Sequence, residues 1–555
     1  MEETLFDPHR FAGTVSRVAH ASAEIALREA PVDQNSREAQ ADIGAFILVD
    51  CGKTAVFGRI IDIYYGQAAS GGALIDGCKT ARVELLNSID TSSGEVTAGL
   101  NSYPLVGEMV YLATAEIARY VIESRNRAAY GDTPITLSIA SLTRSPDTVL
   151  HFTPEMLFGR HLAVLGTTGA GKSWSLARIM EEAAKHRSKI LLFDASGEFG
   201  TLKKGVRHLH IGNHPNPPAH SEEASLPYYQ LTESDLFAIF KPTGESQAPK
   251  LRAAMRSLKL AHVALSTFPD GLIQKVHKEK RTYEREYRRH IEAIESPFAK
   301  FDIRNLARQI ENECVNPSRS TMEPQFWGDY NAKDQALCTP LIARIEDIIR
   351  SPNLEPIFKP GRRLSLLKAF NQFMEDDSLR ILRINLKYLA YEHHAREIVA
   401  NAVGRHLLTL ARDEFFKTQP LLVIVDEAHQ FLNKAVESEE GAYPLDSFGT
   451  IAKEGRKYAL NICMATQRPR DIPESVISQM GTLLVHRLIN DQDLSVVERA
   501  SGEIDRTSLA AIPNLTAGEA ILIGVDFPIP VTVRITAPEA KPSSEGPAYQ
   551  KHWRQ

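Results

Sequence analysis

The chain has 555 residues and no uninterrupted apolar run approaching the roughly 18 residues that a membrane-spanning helix needs. Its first residues, MEETLFDPHR, have neither a basic cluster nor a following apolar stretch, so an export signal is not expected and the cytoplasm is the expected location. Cysteine is scarce. Cys51, Cys78, Cys314, Cys338 and Cys463 lie far apart without C-x-x-C pairing, which excludes a disulfide framework and a zinc ribbon and suits a reducing compartment. A large excess of one charge is also missing: 64 Lys and Arg face 69 Asp and Glu, for a net charge of -5. A globally basic nucleic-acid footprint is therefore excluded, and any phosphate backbone must be met by a local patch or a lined channel. At 43% hydrophobic and 24% charged residues, a chain this long buries more than one core, and two or three domains are expected.

Against this background one stretch stands out. Residues 161–180, HLAVLGTTGAGKSWSLARIM, read as a buried strand, a glycine-bearing loop and the start of a helix. The loop Gly166 to Ser173 fits G-x-x-x-x-G-K-[ST]. Gly166, Gly169 and Gly171 let the backbone adopt positive φ and aim successive N–H groups at phosphate oxygens. Lys172 supplies a point charge for β- and γ-phosphates, Ser173 a hydroxyl for Mg²⁺, and the helix begins with its positive dipole end on the anion. The expected nucleotide cradle comprises Gly166, Thr167, Thr168, Gly169, Ala170, Gly171, Lys172, Ser173 and Trp174, with ATP and Mg²⁺ as its ligands. A plain glycine-rich turn is the alternative, and the flanking apolar strand and helical pattern argue against it.

Residues 1–150 read as all-β, with short alternating runs separated by Gly, Ser and Asp clusters, as in a small barrel or sandwich. The loop Gly66 to Gly77 carries no evident chemistry. From residue 151 the period changes to alternating strands and helices, so the core is α/β, spanning 151–233 and 376–535. A second strand ends in FDASGEF, with Asp194 and Glu198 where ligands of open α/β sheets collect. Two readings of Asp194 stand, a Mg²⁺ or subunit contact and a helix cap. His208, His210, His214 and His220 cluster in sequence, but without a cysteine pair and with prolines between them they make a poor zinc site.

Residues 234–375 form a charged helical insert. Its face HKEKRTYEREYRRHIEAIE, from His277, is either solvated or docks nucleic acid or a partner. Residues 536–555 read as an arm or tail, either bracing a neighbour or disordered. Within the core, the apolar run PLLVIVDEAHQFL ends in Asp426 and Glu427. At a strand's carboxyl end Asp426 would hold Mg²⁺ through its water shell, and Glu427 would act as general base on the attacking water. Gln467, closing the strand NICMAT, suits a γ-phosphate or lytic-water sensor. Arg456, Arg160 and Arg487 are each either a guanidinium completing a neighbouring subunit's site or a surface ion-pair partner.

Taken in order, LGTTGAGKS, FDASGEF, VIVDEAHQFL, EGRKYALNICMATQRP and GEAILIGVDFPIPVTVRI resemble the HerA family of hexameric DNA translocases and helicases, in the HerA/FtsK branch of P-loop NTPases and of the bacterial type. The resemblance covers roughly residues 155–260 and 380–535. It implies a RecA-like P-loop NTPase core with an N-terminal β-barrel (HAS-barrel-like) and an inserted helical bundle. It further implies a homo-hexamer that pumps duplex DNA, with Lys172, Ser173, Asp426, Glu427 and Gln467 at the nucleotide and Arg456 and Arg160 at subunit interfaces. Family partners are nucleases (NurA in archaea), and bacterial relatives pair with nuclease or sirtuin-like effectors in antiphage defence. Alternatives are an ATP-regulated scaffold ring that activates an effector, and a conjugation or secretion ATPase, which the lack of a membrane segment disfavours.

Overall fold

The structure, a computed structural model, describes residues 5–28, 41–65, 79–125, 134–213, 216–218, 220–432, 434–438, 441–502, 506–543 and 549–553. The loop Gly66 to Gly77, Cys78 and His214 lie outside the described residues. The chain divides into two units, 1–186 with 465–542, and 187–464 with 543–555. No helix among the described residues is long and apolar enough to cross a membrane.

The first unit opens with a barrel. Along Ser22–Leu27 every second residue is buried, the period that a strand with one face on a core requires. Ser22–Leu27, Phe11–Val18, Met109–Leu112, Phe46–Asp50, Thr54–Tyr65 and Lys79–Asp90 pair in that order, and the last returns to the first, closing six strands. Val96–Ala98 adds a short strand to Lys79–Asp90. Closure removes the edges that an open sheet of β-branched residues would expose. Inside, Val15, Ile25, Ile47, Val49, Val56, Val83 and Val110 are almost wholly buried.

The hairpin of Leu137–Leu142 and Ser145–Phe152 does not join the barrel. Leu137–Leu142 pairs antiparallel with Val531–Ile535, at the far end of the sequence. The division at residue 150 expected from composition therefore falls too late, because short apolar strands of either sheet look alike in sequence. Val531–Ile535 continues antiparallel to Glu519–Gly524, then to Thr482–Val485, which runs parallel to the fully buried Leu162–Leu165. The helix Lys172–Ala184 is tied to this sheet by Arg178, whose Nε and Nη2 donate to the Ser138 carbonyl at 3.2 and 3.0 Å.

The second unit is a parallel sheet. Leu364–Ser365, Ser221–Ser225, Val206–His210, Ile381–Asn385, Lys189–Asp194, Leu421–Val425 and Leu460–Thr466 pair in that order. Lys189–Asp194, Ile381–Asn385 and Leu421–Val425 are buried at every position, as strands covered on both faces must be. Helices including Glu233–Phe240, Gly244–Val263, Lys280–Arg289, Leu306–Glu313, Ala332–Arg350 and Leu366–Glu375 make up the insert. On the charged helix Lys280–Arg289, Arg281, Glu284, Arg285, Arg288 and Arg289 are exposed and Glu286 is buried. The insert holds together around Glu313, which accepts from Ser257 Oγ at 2.6 Å and Gln309 Nε2 at 2.9 Å and is paired with Lys275. The Lys275 ammonium lies over the rings of Tyr283 and Trp327.

Candidate nucleotide site

The loop 166–171 leaves the buried strand Leu162–Leu165 and returns at the helix Lys172–Ala184. Two of its glycines have no substitute. A Cβ on Gly166 would lie 2.6 Å from His486 Cβ, and Gly171, the helix N-cap, has φ +119° with Gly518 3.3 Å from where its Cβ would be. Thr167 anchors the loop, its N–H and hydroxyl both donating to the Arg487 carbonyl, at 2.9 and 3.1 Å. Lys172 is buried and donates from Nζ to the Thr167 carbonyl at 3.0 Å, so its ammonium is folded across the loop mouth. Thr168 donates its hydroxyl to Gln467 Oε1, which brings the expected sensor to the cradle.

Beneath the loop sits a residue that sequence reading passed over. His486 is wholly buried; its Nδ1–H donates to the Glu519 carbonyl at 2.8 Å, and its Nε2 lies 2.8 Å from Ser175 Oγ. A carbonyl only accepts, so the proton is on Nδ1 and Ser175 donates to Nε2. Burial, with Lys172 as a smaller repulsive cause, holds the His486 pKa down to about 4, and the ring is neutral at physiological pH. From above, the Gly518 N–H donates to the Ala170 carbonyl at 3.1 Å. The signal for His486 was a histidine inside the apolar run TLLVHR, directly before the arginine that drew attention.

The second unit carries the acidic residues. Leu421–Val425 delivers Asp426, 5% exposed, and then turns sharply through Glu427 at φ +47°, a left-handed conformation that a non-glycine residue adopts at a cost of about 1–3 kcal/mol. Asp426 Oδ2 accepts from Ser196 Oγ at 3.2 Å, and Glu427 Oε2 lies 3.3 Å from His429 Nδ1. Burial raises the Asp426 pKa well above the carboxylate range, and the charges of Asp194, Glu427 and Glu198 raise it further. Glu198 Oε2 is buried without a hydrogen-bond partner among the described residues. Such surplus negative charge in a dry pocket calls for a cation. No three His, Cys, Asp or Glu side chains among the described residues are grouped to hold a metal by themselves.

Asp194 is occupied by its own loop. Its Oδ1 accepts from the N–H groups of Gly197 and Glu198 at 2.7 and 3.1 Å, and its Oδ2 from Phe199 N–H at 3.1 Å and Arg383 Nε at 2.7 Å. These bonds fasten the turn 195–199; no helix begins there, so Asp194 caps a turn and not a helix. The histidines are similarly spoken for: His208 Nε2 donates to the Leu202 carbonyl at 2.8 Å, and His210 Nδ1 meets Ser221 Oγ at 2.9 Å.

The three arginines differ. Arg160 pairs with Asp526 at 3.3 Å, and Arg487 donates from Nε to the Pro513 carbonyl at 3.0 Å. Arg456, on the short turn Gly455–Tyr458, is exposed, and its guanidinium has no partner among the described residues.

The family described as "Helicase HerA, central domain" matches residues 137–319. The chain is 25% identical over 445 residues to the DNA double-strand break repair helicase HerA of Pyrococcus furiosus, covering 77% of this chain and 73% of that protein. It is 22% identical over 407 residues to the probable helicase MJ1565 of Methanocaldococcus jannaschii, covering 72% of this chain and 66%, just under two thirds, of that protein. Among solved structures, VirB4 of Thermoanaerobacter pseudethanolicus is similar over 76% of this chain and 98% of its own, at 11% identity and a TM-score of 0.44. The chain is thus similar to HerA helicases along most of its length, and its residues 137–319 match the HerA central domain.

Proposed function

We propose that this protein is a ring-forming, ATP-driven DNA translocase or helicase that pumps duplex DNA and works with a partner effector or nuclease, in DNA end processing or antiphage defence. The observation that carries the ring is Arg456. Arg456 is exposed and its guanidinium has no partner among the described residues, which leaves it available to reach a next subunit's nucleotide. The reading is further supported by the names of the relatives, which are double-strand break repair helicases.

In this reading the backbone N–H groups of residues 166–174 and Lys172 bind the phosphates, and Ser173 and Asp426 hold Mg²⁺. When bound, Mg²⁺ neutralises and orients β- and γ-phosphate oxygens. Glu427, held in its left-handed turn, takes a proton from the attacking water. Gln467, already bonded to Thr168, reports the phosphate state to the loop. His486, neutral and fixed on both nitrogens, keeps Ser175 and hence the first helical turn in place.

ATPase activity measured with and without linear duplex DNA tests the proposal, together with displacement of a DNA-bound roadblock. Strong stimulation with displacement is expected. Activity that responds only to a co-expressed protein would replace the motor with a scaffold.

A further inference from the structure

An indole at the opening of a phosphate-binding helix is a flat apolar face next to the phosphate cradle. Trp174 follows Ser173 directly, stands in the first turn of the helix Lys172–Ala184, and is 36% exposed. The chain's C-terminal stretch comes back to this helix after leaving Val531–Ile535. The backbone N–H groups of Glu539 and Ala540 both donate to the Glu181 carboxylate, at 3.0 and 2.6 Å. Glu181 lies seven positions beyond Trp174, two turns along the same helix face. Pro538 and Pro542 are buried, and the Lys541 ammonium lies 5.9 Å from the Trp174 ring centroid. The strap is thus fastened at Glu181 and sets a cation against one side of the indole. The rest of the ring is left facing solvent beside the phosphate cradle.

A nucleotide whose triphosphate is gripped by the loop and Ser173 would carry its base past the first helical turn, where Trp174 follows Ser173 directly. We propose that the nucleobase of the bound nucleotide stacks on Trp174, with the strap 536–542 holding the indole in place. This rests on the nucleotide site proposed above and adds its base-binding half. Stacking on an indole reads ring area and not edge hydrogen bonds, so ATP and GTP bind alike and pyrimidine triphosphates more weakly.

The test compares ATP, GTP, CTP and inorganic tripolyphosphate on the full chain. Trp174→Ala is expected to weaken ATP and GTP roughly tenfold to a hundredfold, the range of single base–aromatic stacks, while tripolyphosphate affinity stays the same. Trp174→Phe should keep most of the affinity. The tryptophans are Trp174, Trp327 and Trp553, so the fluorescence difference between the native chain and Trp174→Phe isolates the signal of Trp174. That signal should be quenched by ATP and not by tripolyphosphate. Equal loss of ATP and tripolyphosphate in Trp174→Ala, or native fluorescence indifferent to ATP, would overturn the stacking. Lys172→Ala serves as the control for the underlying site: if it still binds tripolyphosphate normally, the phosphate cradle itself is misassigned, whatever Trp174 does.

Discussion

Asp194→Asn changes one atom of a side chain that accepts four hydrogen bonds. An amide offers one carbonyl oxygen where the carboxylate offered two. If that oxygen keeps Gly197 and Glu198, the amide NH₂ is turned towards Phe199 N–H and the Arg383 guanidinium, donors facing a donor. Arg383 is 4% exposed and loses the carboxylate beside it. Removing one partner of a buried ion pair costs about 3–5 kcal/mol, because the other charge stays behind in a dry site. That is a large share of the roughly 5–15 kcal/mol that holds a domain folded. The loop 195–199 is local and the protein has two units, so a global melting curve would blur the effect. Hydrogen exchange at Gly197, Glu198 and Phe199 in the nucleotide-free protein reads it directly, and acceleration of about a hundredfold or more is expected. Adding Arg383→Met should recover part of the loss by removing the stranded charge, though not the bond to Phe199. Exchange unchanged in Asp194→Asn, combined with weakened Mg²⁺-dependent nucleotide binding, would refute the argument and make Asp194 a metal contact.

Lys172→Ala is expected to lose nucleotide binding in a filter assay, whereas Glu427→Gln should retain ATP and lose about 10²–10⁴ in turnover by phosphate release; undiminished hydrolysis would remove Glu427 from its role. Arg456→Ala alone should slow hydrolysis by about 10³–10⁵ if the guanidinium acts across a subunit boundary. Mixing Arg456→Ala with Glu427→Gln subunits should then restore part of the activity, since some boundaries carry both intact residues, and intact rings without rescue would make the arginine structural. Burial holds the pKa of His486 and of His208 down to about 4 in the fold, below the ordinary 6.5. The unfolded chain therefore binds more protons between these values, so their contribution is complete above pH 6.5 and is lost as pH falls towards 4. Denaturant titrations at pH 7 and pH 5 should show lower stability at pH 5, and a His486→Gln variant should show a shallower decline; equal slopes would place the titration elsewhere.

The P-loop and the strand ending in Asp426 were legible because their chemistry demands a fixed order of residue types: glycines, a lysine and hydroxyl at a helix start, acids after an apolar run; positive φ is found at Gly169 and Gly171, whereas Gly166, expected to share it, is glycine because His486 leaves no room for a Cβ. The α/β alternation was legible for the same reason, since strands buried on both faces are apolar throughout. What escaped was long-range. Nothing local distinguishes Leu137–Leu142 as a partner of Val531–Ile535 from one more barrel strand. His486 was hidden because its role is defined by Ser175 and by the Glu519 carbonyl, 311 and 33 positions away. Ser196 looked like a turn residue, and its bond to Asp426 spans 230 positions. The tail beyond residue 536 read as a brace on a neighbour or a disordered end, because proline and charge suit both. Two backbone N–H groups instead bind Glu181 and hold Glu539 and Ala540 on the chain's own helix.

Buried charge separates structure from chemistry here by whether its electrostatics are finished. In the insert, Glu313 is met by Lys275, Ser257 and Gln309, and Lys275 is flanked by two aromatic rings. Asp194 is met by three backbone N–H groups and a guanidinium. Both sets are closed, and a closed network is worth its burial only as a fastening. Asp426 receives one weak hydroxyl bond and three neighbouring negative charges, and Glu198 leaves an oxygen without a donor. The fold closes those two buried carboxylates fully and leaves Asp426 and Glu198 short of donors, as the proposed Mg²⁺ site requires. Glu427, next to Asp426, is held in a left-handed turn at φ +47°. Strain and unfinished charge fall on adjacent residues, Glu427 and Asp426, where the proposed Mg²⁺ and attacking water would sit.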